Sequence, residues 1–289
     1  MPGTVWLNGE YLPRERAVVS VDDRGFVFGD GVYEVTRVVN GEPFEEERHL
    51  ARLRRGVEAL RLAPDFDTSG IREVSRRLLD TNGLRTGEGS IYFQVTRGAA
   101  PRAHVFPKAV PPTMYVSVAP FTPNVEMRTR GAAAITTPDI RWSRCDLKVV
   151  NLLPNVLAKQ AAAEAGAFEA IFVRNGTVTE GAHTNVFAVI GGELRTYPEC
   201  NYILSGVTRS VVVELAAELG IPLREAPFFA EDLKTVEELM VVGTLTDVLP
   251  VVKLDGRPVA DGTPGPVARR LYEALRERMG AGARAAVAV

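Results

Sequence analysis

Five two-residue turns do most to restrict what this 289-residue chain can fold into. Asn8-Gly9, Asn40-Gly41, Asn175-Gly176, Gly191-Gly192 and Asp255-Gly256 each stand between two strand-like runs. Pairs of this kind favour hairpins, because two consecutive positive φ angles match the twist of the strands they join. Antiparallel sheet is therefore expected in both halves of the chain. Helices are expected between the hairpins. From about Glu46, the residues His49, Leu50, Leu53, Val57 and Leu60 recur at three- and four-residue steps, which predicts an amphipathic helix. A second helix is predicted from near Ser69, through Ile71, Val74, Leu78 and Leu79, to a stop at Gly83. "SIYFQVTRG" and "TMYVSVAPF" read as strands, rich in β-branched and aromatic residues.

Residues 1–118 thus read as an α+β domain. "APFTPNVE", residues 119–126, carries two prolines between strand-like segments and is the expected linker. Residues 127–289 read as a second domain. It opens with a strand toward Ile140 and an alanine-rich helix over about 155–165. "GVTRSVVVELAAELG" is a helix with Gly206, Val207 and Thr208 at its N-terminal end. "DLKTVEEL" is expected to be a short helix, "LMVVGT" a strand, "PVARRLYEALRERM" the last helix and "AGARAAVAV" a frayed tail.

Composition excludes more than it selects. With 34 basic and 36 acidic residues the formal charge is −2, which gives no case for nucleic acid or an anionic membrane as partner. No apolar run approaches the roughly 20 residues of a membrane-spanning helix. "MPGTVWLNGEYLP" lacks the basic and apolar regions of a signal peptide. Cys145 and Cys200 make neither a disulfide framework nor a metal spacing. A reducing, cytoplasmic setting without a metal is expected.

Chemistry enters through the lysines. Only five of the basic residues are lysine: Lys108, Lys148, Lys159, Lys234 and Lys253. Lys148 sits in "CDLKVVNLL", where an ammonium is either a strand-end charge or a nucleophile. Arginine could fill the first role but not the second, because it cannot shed its proton. Three other features stand out, each with an ordinary reading when taken alone. Glu180 lies in the hairpin "RNGTVTEGAHTNVF", where a solvated strand residue is the common case. Arg102 and His104 lie two residues apart in the Gly/Pro loop "TRGAAPRAHVFP", where both side chains point the same way if the loop is extended. "LSGVTR" places glycine at a helix start, where free N–H groups can bind phosphate. Together they are more restrictive. A lysine amine forms an imine with the aldehyde of pyridoxal phosphate, which also needs a phosphate cup, a carboxylate at its ring nitrogen and a trap for the substrate's carboxylate.

The chain resembles the fold-type IV pyridoxal phosphate aminotransferases, most closely the bacterial D-amino acid aminotransferases. The likeness runs from "NGEYLP" to the last helix. It rests on "DRGFVFGDGVYEVTRV", "HLARL", "YFQVTRG" with "PRAH", "IRWSRCDLKVVNLL", "VTEGAHTNVF" and "LSGVTR". The resemblance implies a two-domain fold, with a smaller N-terminal α+β domain and a larger α/β, barrel-like C-terminal domain carrying the lysine. It implies that Lys148 holds pyridoxal phosphate covalently, that Glu180 pairs with the pyridine nitrogen and that Leu204 packs on the ring. The phosphate falls to Arg52, Gly206, Val207, Thr208 and Thr244. Tyr33, Arg102 and His104 receive the substrate's α-carboxylate, the Arg102/His104 loop coming from the neighbouring subunit of a homodimer. The activity implied is ping-pong transfer of an amino group from a D-amino acid to a 2-oxo acid, through pyridoxamine phosphate. A branched-chain L-amino acid aminotransferase, an aminodeoxychorismate lyase and an (R)-amine transaminase are alternatives of the same fold type.

The chain also departs from its relatives' pattern. Ala182, His183 and Thr184 stand where the relatives carry small serines, so His183 either faces the cofactor or is an outward strand histidine. Gly243 replaces a small hydroxyl residue. Trp142 and Cys145 are expected to pack, and Glu169 is either an ordinary strand carboxylate or a partner of the site.

Overall fold

The computed structural model describes residues 3–63 and 66–280. The chain divides into two units, Met1–Thr122 with Leu147–Leu152 and Pro123–Asp146 with Leu153–Val289. The first is built on β1 (Thr4–Leu7), β2 (Glu10–Pro13), the short helix α1 (Arg24–Phe28), β3 (Gly31–Val39), β4 (Glu42–Pro43), α2 (Glu46–Leu60), α3 (Ser69–Thr81), β5 (Glu88–Thr96) and β6 (Thr113–Pro120). Its six strands form an antiparallel sheet in the order β2-β1-β6-β5-β3-β4. The Asn8-Gly9 and Asn40-Gly41 turns close two of its hairpins, Leu7 opposite Glu10 and Val39 opposite Glu42. Both residues of each turn have positive φ, 50° and 82° in the second.

The two helices lie on this sheet for the reason their spacing gives. Leu50, Leu53 and Val57 of α2 and Ile71, Leu78 and Leu79 of α3 are buried in one cluster with Val38, Ile91, Phe93, Val95 and Val116. Each such side chain contributes about 1.5–3 kcal/mol on burial. A Cβ at Gly56 would stand 3.1 Å from Val32 Cγ1, so glycine permits the close approach of α2 to β3.

Beyond its pairing with β5, β3 meets β4 only at Val38 and Val39. Its first residues are paired instead by the lysine segment. Val32 bridges Val149, Tyr33 N–H donates to Lys148 O at 3.0 Å, and Val150 N–H donates to Gly31 O at 3.0 Å. Leu147 and Val149 join the buried cluster. The sequence reading puts Lys148 in the C-terminal domain; in the structure Leu147–Leu152 belongs to the first unit, because this edge pairing and burial hold it there.

The second unit comprises α4 (Val125–Arg130), β7 (Ala132–Pro138), α5 (Leu153–Glu164), β8 (Glu169–Arg174), β9 (Thr177–Gly181), β10 (Asn185–Ile190), β11 (Glu193–Thr196), α6 (Val207–Glu218), β12 (Leu223–Glu225), β13 (Glu238–Gly243), β14 (Asp247–Leu254), β15 (Arg257–Pro258) and α7 (Pro266–Arg278). The strand path β12-β11-β10-β13-β14-β7-β8-β9 returns on itself, because β9 also pairs β10. A closed, barrel-like ring of β10, β13, β14, β7, β8 and β9 results. Its seam is one residue pair, Asn185 opposite Glu180. The three remaining two-residue turns close β8–β9, β10–β11 and β14–β15.

Two local readings need correction. Residues 119–126 are not all linker: β6 runs to Pro120 and α4 begins at Val125. "DLKTVEEL" is helical only over its first three residues, a 3-10 turn at Asp232–Lys234 with Leu233 buried in it; Val236 is buried beyond the turn, and Glu238 opposite Val189 begins a strand. The "AGARAAVAV" segment lies outside the described residues. Among the described residues no helix is long and apolar enough to cross a membrane.

Gly181, next to the seam, has no room for a side chain. A Cβ there would stand 2.2 Å from Thr184 Oγ1 and 3.0 Å from Glu169 Oε2. Gly181→Ala is expected to destabilise the protein by about 1–3 kcal/mol through overpacking, read as a lower denaturant midpoint at an unchanged slope.

Candidate active site

In the first unit the backbone bond from Tyr33 to Lys148 sets the two residues side by side, with Lys148 Nζ 4.2 Å from the Tyr33 ring centroid. Lys148 is half-buried. Glu34, next along β3, points to the opposite face, where α2 presents His49 and Arg52. Arg52 donates Nε to Glu34 Oε1 at 2.7 Å and Nη2 to Oε2 at 2.9 Å, and His49 Nδ1 lies 2.9 Å from Oε2. All three are buried. Burial alone would raise the Glu34 carboxyl, but Arg52 and His49 overcome it and hold the group well below the usual carboxylate range. Burial also lowers His49, against the pull of Glu34 and with the help of the Arg52 and Lys148 charges.

Arg102 and His104 are exposed on the loop between β5 and β6. Both flank one aromatic ring: Arg102 Cζ lies 5.2 Å from the Phe28 centroid, and the His104 ring lies 5.5 Å from it.

In the second unit Glu180 ends β9 inside a closed set of donors. Arg141 Nη1 donates to Oε1, while Leu204 N–H (3.0 Å) and Asn185 Nδ2 (3.2 Å) donate to Oε2. Asn185 Nδ2 also donates to Leu204 O at 2.9 Å, which fixes the backbone ahead of α6. Arg141 is shared with Asp139, through Nε and Nη2 at 2.9 Å each, and Arg174 donates to the same aspartate at 3.1 Å. Burial pushes the Glu180 carboxyl up to about 7, outweighing an Arg141 charge that Asp139 also draws on. Arg141 itself is raised, its two carboxylate partners overcoming the effect of burial.

Gly206 caps α6 without a side chain, ahead of the buried Val207 and Thr208. Its glycine has a local cause, since a Cβ would stand 2.0 Å from Asn185 Oδ1. Thr244 lies in the tight turn between Gly243 and Asp247 that joins β13 to β14. At Gly243 a Cβ would meet only ordinary contacts, at 3.5 Å or more, so packing does not force the missing hydroxyl.

His183 is 45% exposed and tied to a buried carboxylate, with Nδ1 2.8 Å from Glu169 Oε2. Thr184 Oγ1 donates to that same oxygen at 2.8 Å. Trp142, expected to pack, is 45% exposed. Cys145 is buried and its thiol is pushed up to about 11, chiefly by burial, so it is no nucleophile near neutral pH.

Sequence reasoning assigned no role to Glu34, His49, Asp139 or Arg141. A signal existed for two of them. Glu34 interrupts the apolar run "GVYEVTRVV", and a carboxylate there needs a buried partner, which His49 on the facing helix supplies. Nothing local marks Arg141, whose partner Glu180 is 39 residues away.

The family model for amino-transferase class IV matches residues 31–254. Over 274 residues the chain is 42% identical to a D-alanine aminotransferase of Staphylococcus aureus (strain COL), covering 94% of this chain and 96% of that protein. Among solved structures it is similar to the branched-chain aminotransferase of Thermoproteus uzoniensis with norvaline, at TM-score 0.86 and 27% identity, covering 97% and 96% of the two chains. It is also similar to the T.th. branched-chain amino acid aminotransferase with pyridoxamine 5'-phosphate, at TM-score 0.88 and 28% identity, covering 97% and 95%. The chain belongs to amino-transferase class IV. It is an aminotransferase that uses pyridoxal phosphate.

The residues fit that cofactor. A wholly buried carboxyl pushed up toward neutrality gains most from a partner that brings a positive charge, as a protonated pyridine nitrogen does. The start of α6, with no side chain on its cap, leaves N–H groups of the kind a phosphate takes.

Without such a partner Glu180 is a liability. The folded protein keeps a proton that the unfolded chain releases above its ordinary value of 4.5. Apoprotein stability therefore falls as pH rises from about 4.5 to 7, by up to about 3 kcal/mol from this group. Glu180→Gln removes that part of the slope. Denaturant unfolding of both apoproteins at pH 5 and pH 8 checks this, the expected result being a wild type that loses ground to the variant only at the higher pH.

Proposed function

We propose that the protein is a D-amino acid:2-oxo acid aminotransferase, with D-alanine as a donor and 2-oxoglutarate as an acceptor. The observation that carries this reading is the near full-length likeness to D-alanine aminotransferase of S. aureus. The paired exposure of Arg102 and His104 around Phe28 supports it, since a guanidinium and an imidazole two residues apart suit an α-carboxylate.

Bound pyridoxal phosphate supplies the aldehyde that a primary amine adds to and the electron sink that stabilises charge at the substrate's Cα. The chain's own residues do the rest. Lys148 would carry the cofactor, and its free amine would move the proton at the substrate's Cα. General acid–base catalysis of this kind contributes about 10²–10⁴-fold. Glu180 would hold the ring nitrogen's proton, and Leu204, whose N–H donates to Glu180, would pack on the ring. Arg52, Gly206, Val207, Thr208 and Thr244 would receive the phosphate. Tyr33, Arg102 and His104 take the substrate carboxylate, the last two from the neighbouring subunit of a cytoplasmic homodimer.

The test is the visible spectrum of the purified protein before and after adding D-alanine or L-alanine. A yellow cofactor band that bleaches with D-alanine alone is the expected result. Bleaching with L-alanine or a branched L-amino acid alone overturns the substrate in favour of a branched-chain enzyme. A band indifferent to both brings forward the lyase or the amine transaminase. Lys148→Arg is expected to lose the band and all turnover. Shared sites make a further expectation: mixing Lys148→Ala with Arg102→Ala protomers restores turnover at the wild-type KM, because one site of each mixed dimer keeps both residues, whereas separate sites would leave only the raised KM of Arg102→Ala.

A further inference from the structure

We propose that Asp30 is the positioning residue of the Arg102/His104 loop, a single carboxylate that holds the loop at two points, through Arg24 and Arg97. The inference rests on the reading of Arg102 and His104 as contacts of the substrate's carboxylate. Residues 101–106 are exposed, and an arginine side chain carries about 2 kcal/mol of rotamer entropy. A two-pronged receptor on such a loop binds well only if its backbone and both prongs are placed beforehand.

Asp30 makes that placement possible. Its Oδ2 accepts from Arg24 Nε at 2.9 Å and from Arg97 Nε at 2.7 Å, and its Oδ1 accepts from Arg97 Nη2 at 3.0 Å. Each guanidinium then grips one part of the loop. Arg24 donates Nη1 to Ala103 O at 2.5 Å, on the residue between the two prongs. It also lies 4.7 Å from the centroid of Phe28, the ring that both prongs flank. Arg97 lies 3.6 Å from the Phe106 centroid and donates to Arg61 O and Leu60 O at 2.7 and 2.8 Å.

The main chain follows the same path. Arg24 N–H donates to Gly98 O, Ala100 N–H to Asp22 O and Arg97 N–H to Asp30 O, at 3.0–3.1 Å. Arg24 and Arg97 are 4% and 5% exposed, so neither has water as a substitute partner. Burial works against ionised Asp30, yet Arg97 and Arg24 hold its carboxyl below the ordinary range. Asp30 also directly precedes Gly31–Tyr33, the stretch bonded to the Lys148 segment. One residue thus joins the loop to the strand that carries Tyr33.

Steady-state kinetics of the holoenzyme with D-alanine test this through Asp30→Asn, Arg102→Ala and the double variant, with cofactor content read from absorbance. Asp30→Asn keeps the shape and removes the charge. Each single variant is expected to raise KM on the order of tenfold, with kcat and cofactor content little changed. The double variant is expected to be no worse than Arg102→Ala, because Asp30 acts through the loop. Additive effects on KM, or a loss of kcat or cofactor without a change in KM, overturn the proposal. If Arg102→Ala raises KM and Asp30→Asn does not, the inference alone fails. If Arg102→Ala leaves KM unchanged, the reading of Arg102 fails first. Should Asp30→Asn not fold, Phe28→Leu takes its place in the cycle. It removes the ring that Arg24 and both prongs lie against and leaves the buried charges intact, and the same non-additivity is expected.

Discussion

The pairing of Asn185 with Glu180 carries more of this structure than any other contact. It closes a ring of six strands, and the same two side chains hold each other and the backbone at Leu204. A barrel wall is ordinarily closed by apolar or neutral residues, since an unpaired charge there costs several kcal/mol. Here the seam is a carboxylate, tolerated because Arg141, a backbone amide and a carboxamide all donate to it. The arrangement stops short of full compensation, since Arg141 also serves Asp139. What is left over is the affinity that a cation at that position can use.

Three carboxylates, Glu34, Asp30 and Glu180, differ according to the arginines that serve them. Glu34 has a bidentate arginine, Asp30 has two arginines, and both carboxyls are held low. Glu180 shares one guanidinium with a rival and is pushed up. Arginine suits these places because it stays charged when buried and its planar fork meets both oxygens of a carboxylate. Arg52 has a double load. The side chain proposed to reach the phosphate is also the partner that makes Glu34 tolerable within the first unit. Losing it strands a buried anion as well as a ligand contact.

Much of this architecture was legible in the sequence because the signals were local. All five two-residue turns close hairpins, since positive φ at Asn, Asp or Gly is decided within the turn itself. α2 and α3 follow from their apolar spacing, with bounds at Glu46 and Ser69 that match the expected starts. What failed was settled by contacts distant in sequence. "DLKTVEEL" has a helical composition, but the pairing of Glu238 with Val189 makes its end a strand. His183 was expected to point either at the cofactor or outward; it is half exposed and bound to Glu169, an arrangement neither expectation contained. Arg141 and Asp139 went unread because their value comes from Glu180, and Asp30 because its arginines come from two different elements.

The six residues from Leu147 to Leu152 also bear on how far the protein is modular. The chain leaves the first unit after Thr122, returns to place Lys148, and leaves again. Residues 1–122 alone would lack Leu147 and Val149 from their core and would leave Gly31–Tyr33 of β3 without a neighbour on that side. An unpaired strand edge beside an apolar gap is a template for association with other chains. The nucleophile's segment therefore acts as a stopper on that edge. A gene fragment ending at the first crossing would encode an aggregation-prone sheet, however complete its six strands look.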